Sequence, residues 1–332
     1  MLILLFLSFC VFLVLGVPIA FSMGLSTMIA LFVSKTAPLT ILVQRTYGLL
    51  DSYTLLAIPF FVLSGELMLA GGMSKRLVRF ASALVGHIRG GLAQVVILAS
   101  MIFAGVSGSS TADASAIGSI LIPTMKQRGY RSGWIAALQA SAATMGPIIP
   151  PSILMIVYGS LTGVSIGSMF LGGVIPGVLI GISLGVVVVI YSYLPGFDFL
   201  KAEKRASFKE VKNSFKEAIL ALVTPVIIIG GIVGGIFTAT EAGIVATVYA
   251  FVVCKFVYKE LKLRDMERLL ANAAVISALV LLIASIAAAF GWVLAWENFP
   301  KMTGNYLMSL TKSPLVVLLL VELFLLILTC FV

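Results

Sequence analysis

Residues 91–125 read GLAQVVILASMIFAGVSGSSTADASAIGSILIPTM. Two apolar arms, 91–105 and 111–125, flank a small polar stretch, SGSSTAD at 107–113. Each arm holds about 15 residues, or about 22 Å of helix at about 1.5 Å per residue. A membrane-crossing helix needs about 20 apolar residues, so neither arm crosses hydrocarbon alone. Lys75, Arg76, Arg79 and Arg89 precede the stretch, and Lys126, Arg128 and Arg131 follow it. Basic flanks mark the cytoplasmic side. With basic flanks at both ends, the segment must enter and leave on one face. A re-entrant helical hairpin is therefore expected, with its SGSST tip deep in the membrane. The competing reading is one kinked span with a mis-sorted basic cluster.

The rest of the chain is apolar enough to support this. Of 332 residues, 61% are hydrophobic and only 11% charged, with mean hydropathy +1.17. A soluble domain is about 25% charged. A soluble enzyme, a disordered chain and a nucleic-acid binder are thus excluded as whole-chain readings. The net charge of +9 is a topology signal. Long apolar runs lie at 51–72, 169–194, 217–236, 241–258 and 271–295. Residues 1–16 and 19–34 read as short helices split by Gly16-Val17-Pro18, and 132–161 is broken at 146–151. The N-terminus lacks the basic start and cleavage site of a signal peptide and reads as a membrane helix. Further basic clusters, Lys201–Lys216 and Lys255–Arg268, fall on the same side as the hairpin flanks. Only Lys35, Arg45, Lys301 and Lys312 fall opposite. The expected fold class is an all-α polytopic membrane protein with its N-terminus outside.

An internal repeat is expected at an offset of 219. Gly16–Leu25 (GVPIAFSMGL) aligns with Gly235–Ile244 (GIFTATEAGI), each at a turn between apolar helices. The charge pattern puts the first turn inside and the second outside. Inverted repeats characterise secondary transporters, whose substrate sites lie at discontinuous helices near the midplane. On this offset Val332 corresponds to about position 113. The chain is expected to stop near the tip of a second hairpin, before its partner arm and a second broken helix.

Non-helical backbone at membrane depth must be buried in protein or line a watery cavity. The two breaks, Ser107–Asp113 and Gly146–Pro151, are therefore the candidate site. The first offers hydroxyls from Ser107, Ser109, Ser110 and Thr111, with Gly105 and Gly108 permitting close backbone approach. The second offers carbonyls of Thr144, Met145 and Gly146, freed because Pro147, Pro150 and Pro151 donate no N–H. Neutral oxygens and helix C-terminal carbonyls suit a monovalent cation. The N-terminus of the second arm suits an anionic group. The bland alternative is a packing kink of small residues.

Asp113 reads either as a helix cap in Ser110-Thr111-Ala112-Asp113 or as a cation-binding carboxylate. Glu66, Glu241, Glu297 and Glu322 are the other acids near membrane depth. Glu241 looks like an ordinary helix N-terminus, and Glu322 should face protein or water. Cys10, Cys254 and Cys330 read as buried thiols with no metal or disulfide pattern, and His87 as a surface histidine. Gly173/Gly177, Gly181/Gly185 and Gly230/Gly234 have helix-packing spacing. The stretch 199–217 reads as a basic amphipathic segment on the cytoplasmic surface.

GVSGSSTADASAIGSILIPTMKQRGY (105–130), ATMGPIIPPSILMIVYG (143–159) and GGIFTATEAGIVA (234–246) resemble the large membrane subunit of tripartite ATP-independent periplasmic (TRAP) transporters, across essentially the whole chain. The resemblance implies an elevator-type fold with re-entrant hairpins and broken helices. It implies sodium-driven uptake of an organic acid across the bacterial inner membrane, of the sialic acid or C4-dicarboxylate type. It implies two partners, a small membrane subunit and a periplasmic substrate-binding protein.

On this resemblance Ser107, Gly108, Ser109, Ser110, Asp113, Thr144 and Gly146 hold sodium. Ser109, Ser110, Thr111, Pro150 and Pro151 contact the substrate. Residues 1–72 carry scaffold helices and the first arm of repeat one, and 73–90 a cytoplasmic amphipathic connector. The transport part spans 91–168, with hairpin 91–125 and broken helix 132–161. A membrane helix at 169–194 and a cytoplasmic amphipathic linker at 195–216 follow. Repeat two supplies a scaffold pair at 217–258, connectors at 259–313 and the first arm of a second hairpin at 314–332.

Two other functions compete. Gly105-Val106-Ser107-Gly108 is a GxSG, as in rhomboid intramembrane proteases, but a serine nucleophile needs a base within reach. The only histidine, His87, is upstream in a basic segment. A passive channel is the other alternative, since inverted repeats also occur in channels.

Overall fold

The computed structural model describes residues 1–311 and 313–331, and every regular element among them is a helix. Five helices are long and apolar enough to cross a membrane: Tyr53–Ala70, Ile166–Tyr191, Phe208–Val233, Ala239–Val257 and Asp265–Trp296. They coincide with the five long apolar runs. The chain divides into two compact units, Met1–Ser52 with Leu279–Val332, and Tyr53–Ala278.

In the first unit, α1 (Leu2–Val14) and α2 (Ile19–Ser34) pack together, followed by α3 (Thr40–Leu50). Helix α13 (Asp265–Trp296) supplies its C-terminal half, followed by α14 (Phe299–Leu310) and α15 (Pro314–Phe331). Leu5, Ala30, Leu31 and Val293 form a small core, and Phe6 and Phe9 pack on Phe290. The N-terminal ammonium lies 3.7 Å from Glu297. Glu322, which was to face protein or water, is exposed on α15.

In the second unit, a 3₁₀ turn (Tyr53–Leu56) leads into α4 (Ala57–Ala70), and Gly71-Gly72 lead into α5 (Met73–Val85). Then come α6 (Leu92–Ser107) and α7 (Ser110–Gln127), and α8 (Ser132–Ala143) and α9 (Ile153–Thr162). Helices α10 (Ile166–Tyr191), α11 (Phe208–Val233) and α12 (Ala239–Val252, continued by a π turn over Val253–Val257) complete it with the start of α13.

Helix α6 is central and buried along nearly its whole length. Gly173, Gly177 and Gly181 make a small-residue stripe on α10. It receives Ile148 and Met155, Ile149, and Met101 respectively. One turn on, the Gly185 carbonyl accepts from Gln94 Nε2 at 2.9 Å. The Gly230/Gly234 pair receives no other helix; Gly231 instead faces Phe237. Helix α4 lies along α12, where Thr240 and Thr247 hydroxyls donate to the Tyr53 and Phe60 carbonyls at 3.0 and 2.7 Å.

Several local expectations change. The 199–217 stretch is not one amphipathic segment: residues 199–206 carry no helix. Ser207 and Glu210 form a capping box that starts α11 at Phe208. Residues 208–217 are therefore the first turns of a long membrane helix. Cys254 is buried but Cys10 is exposed, because Cys10 lies on the outward face of an apolar helix. The Cys330 side chain lies outside the described residues. His87 is half-buried, its Nδ1 without a hydrogen-bond partner.

The turns at the two ends of the 219-residue offset share their hydrogen bonds. Gly16 N–H donates to Leu13 O and Val17 N–H to Phe12 O, at 3.0 Å each. Gly235 N–H donates to Ile232 O at 3.1 Å and Ile236 N–H to Gly231 O at 2.9 Å. Both glycines take positive φ, 78° and 69°, which an L side chain adopts only with strain.

Candidate functional site

Helix α6 stops because Gly108 turns left-handed, with φ 63°. Its N–H closes onto Ala104 O at 3.3 Å. Ser109 follows in extended conformation and caps α7, its Oγ accepting from Ala112 N–H at 3.4 Å. A helix leaves its last carbonyls and first N–H groups without intrahelical partners, so both kinds of group converge on this two-residue tip. Neither arm is among the helices both long and apolar enough to cross a membrane.

The second break ends α8 at Ala143, and Thr144–Pro151 is irregular. Ser152 restarts the chain as the cap of α9. Its Oγ accepts from Met155 N–H at 3.2 Å and donates to Pro147 O at 2.6 Å. Pro150, Pro151 and Ser152 are all buried.

The two breaks meet backbone to backbone. Ile153 N–H donates to Gly108 O at 3.4 Å. A Cβ on Gly108 would collide with the Pro151 carbonyl, and one on Gly146 would stand 2.8–2.9 Å from Ser109 C, Ser109 O and Ser110 N. Gly105 faces Pro225 and the Pro150 carbonyl, and Gly65 of α4 faces Ser107. At Gly108 and Gly146 only a hydrogen-sized side chain permits this seam.

Beside it lies a cavity of about 220 Å³ lined by Ser107, Ser109, Thr111, Ser115 and Glu66, with Phe103 and Ile153 as apolar walls. Ser109 Oγ and Thr111 Oγ1 are 3.0 Å apart, and Ser107 Oγ accepts from Ser109 N–H at 3.5 Å. Three of the four expected hydroxyls thus share one space. Ser110, half-buried, does not line it. Gly108 and Gly146 contribute the seam. Pro150 and Pro151 lie beneath the tip rather than on the cavity wall. Thr144 is exposed, its hydroxyl donates to Ser141 O at 2.7 Å, and it does not line the cavity.

Asp113 does not cap the helix. The cap is Ser109, one residue before the Ser110 that the S-x-x-D pattern assigned, so Asp113 falls beyond the capping position. It is fully buried, and both carboxylate oxygens lack a hydrogen-bond partner. Ser100 of α6, whose hydroxyl is likewise unpartnered, is its polar neighbour. A buried carboxylate without a partner is costly and invites a cation or a proton. Glu241, by contrast, sits at a helix N-terminus as expected, where it forms a capping box with Thr238.

Glu66 was visible in the sequence as an acid inside an apolar run but was not assigned to the site. It is half-buried on the cavity wall, with Asn272 Nδ2 3.5 Å from its Oε2. Only the packing of α4 against the hairpin places it there. Beside Ser107 the structure sets no histidine-based dyad: His87 precedes α6, at the opposite end of that helix from Ser107. No cluster of three or more His, Cys, Asp or Glu occurs among the described residues.

Residues 6–332 match the family described as tripartite ATP-independent periplasmic transporter, DctM component. The chain is 40% identical over 318 residues to the sialic acid TRAP transporter large permease protein SiaM of Vibrio cholerae, covering 96% of this chain and 74% of the relative. It is 40% identical over 306 residues to the C4-dicarboxylate TRAP transporter large permease protein DctM of Pseudomonas aeruginosa, covering 92% and 71%. It is 38% identical over 299 residues to the 2,3-diketo-L-gulonate TRAP transporter large permease protein YiaN of Escherichia coli, covering 90% and 70%.

Proposed function

Since the chain belongs to the DctM component family of tripartite ATP-independent periplasmic transporters, it is a multi-pass inner-membrane transporter subunit and not an enzyme, and we propose that it carries an organic acid into the cell by sodium-coupled secondary transport. The names of the three relatives share one substrate chemistry, a carboxylate-bearing acid. Sialic acid and C4-dicarboxylates are the first to test. The transporter works with a periplasmic substrate-binding protein and a small membrane subunit, and its N-terminus is periplasmic.

The observation that carries the reading is the seam between the two breaks, with three hydroxyls facing one cavity. Sodium is a hard cation and takes neutral and carboxylate oxygens; discontinuous helices supply them at membrane depth. The cation is taken by oxygens of the Ser107–Thr111 tip and the carbonyls of the second break. Asp113 supplies buried negative charge behind the tip. The N-terminus of α7 faces the substrate carboxylate. Binding orders the tip, and the hairpin and broken helix move as one body, an elevator step. The matching turns at Gly16 and Gly235 support an internal repeat, which such a mechanism uses.

The test is uptake of radiolabelled sialic acid or succinate into vesicles holding the complete transporter and its binding protein. An inward sodium gradient should drive accumulation above the outside concentration. Ser107→Ala should raise the sodium concentration for half-maximal uptake about tenfold, the worth of about 1–1.5 kcal/mol of lost ligand interaction. Equilibration without accumulation would mean a passive channel. Accumulation that ignores sodium would remove the coupling ion from the reading.

A further inference from the structure

A second cavity, of about 930 Å³, opens at the end of the unit where α7 finishes and α11 begins. Its walls are α5, the last turns of α7, the irregular segment before Ser207 and the first turns of α11. Five cations line it: Lys75, Arg79, Arg128, Lys204 and Arg205. Three acids line it too, and each is engaged. Glu217 pairs with Arg79 and Glu203 with Arg128, both at 2.6 Å. Glu210 accepts the Ser207 N–H at 2.6 Å in the capping box. Among the described residues Lys75, Lys204 and Arg205 make no ion pair, so the crevice keeps an excess of positive charge. Arg79 and Glu217 are both largely exposed, and such pairs hold weakly enough to yield to a stronger anion.

The other wall is apolar. Val78 of α5, Leu92 of α6 and Ile120 and Leu121 of α7 line the same space. Cationic rim and hydrocarbon wall sit side by side at the basic end of the membrane helices. A soluble anion has no use for the apolar half. A phospholipid uses both, because its phosphate meets the rim while an acyl chain lies along the wall. Basic pockets between membrane helices on the cytoplasmic side suit anionic headgroups.

We propose that this crevice is a binding site for an anionic phospholipid of the inner leaflet. The lipid would bridge the connector α5, the second hairpin arm α7 and the start of α11, three elements that carry the candidate transport site or adjoin it. The inference is independent of the coupling ion and of the substrate.

The experiment is native mass spectrometry on the detergent-purified transporter, titrated with phosphatidylglycerol, phosphatidylcholine or inorganic phosphate. Phosphatidylglycerol should be retained in preference to phosphatidylcholine, and millimolar phosphate should not displace it. The triple variant K75Q/K204Q/R205Q should bind phosphatidylglycerol about a hundredfold more weakly, about fivefold for each cation. The control K209Q/K212Q/K216Q removes the same charge from exposed positions of α11 outside the crevice and should bind as the parent does. Equal loss in both variants would reduce the effect to general surface charge and overturn the site. Equal retention of the two lipids, or full displacement by phosphate, would overturn it as well. Melting curves of both variants, unchanged from the parent, establish that loss of lipid is not loss of fold.

Discussion

The two helix breaks reach the same end by different chemistry. At the hairpin tip a glycine in the left-handed region stops α6, and one extended serine restarts the chain. At the second break prolines withhold N–H groups over several residues, and again one extended serine restarts it. The capping serines are near copies, Ser109 at φ −136°, ψ 127° and Ser152 at φ −122°, ψ 123°. What differs is freedom. Ser152 is buried and holds Pro147 O as well as its cap, whereas Ser109 shares its hydroxyl with Thr111 on a cavity wall. The serine of the proline break is tied down, whereas the serine of the glycine break keeps its hydroxyl on a cavity wall.

That contrast can be broken by substitution. Gly108→Ala should be the most damaging, because it combines left-handed strain with a collision at the Pro151 carbonyl. A loss of about 3 kcal/mol or more is expected, read as a lowered melting temperature and abolished uptake. Gly146→Ala carries no left-handed strain but presses on Ser109 and Ser110. It should cost about 2 kcal/mol; a larger effect than at Gly108 would shift the weight of the seam to the proline break.

Ser152→Ala removes a cap and the hydroxyl that donates to the half-buried Pro147 carbonyl, for about 1–2 kcal/mol of stability. Its sodium dependence should remain that of the parent, as befits a support. Ser109→Ala should cost about 1 kcal/mol of stability and yet alter sodium dependence more than Ser152→Ala. The reverse ranking would erase the distinction between the two breaks. Thr144→Ala, at an exposed position, should shift stability by about 0.5 kcal/mol or less and leave sodium activation unchanged, because it keeps the Thr144 carbonyl.

Much of this was legible from composition and spacing. Gly108, Pro147, Pro150 and Pro151 mark where helices stop, because backbone freedom and clustered missing donors act locally, although single prolines at 123, 176 and 225 lie inside continuous helices. The five long apolar runs set the spans for the same reason: transfer from water to lipid is a property of the segment. Capping boxes at Thr238 and Ser207 obey local rules too, although the latter was hidden within a stretch read as a surface segment. The capping reading of Asp113 failed by one residue, since whether Ser109 or Ser110 is the cap depends on where Gly108 turns.

Tertiary structure alone decided which side chains share a space. Helical periodicity cannot say that Ser107, Ser109 and Thr111 face one cavity that Thr144 does not line, nor that Glu66 of a distant helix joins them. Nor could it pair Gly108 with Pro151 and Gly146 with Ser109. These are contacts between segments far apart along the chain, and their energies come from close packing, which has no counterpart in any local stretch of residues.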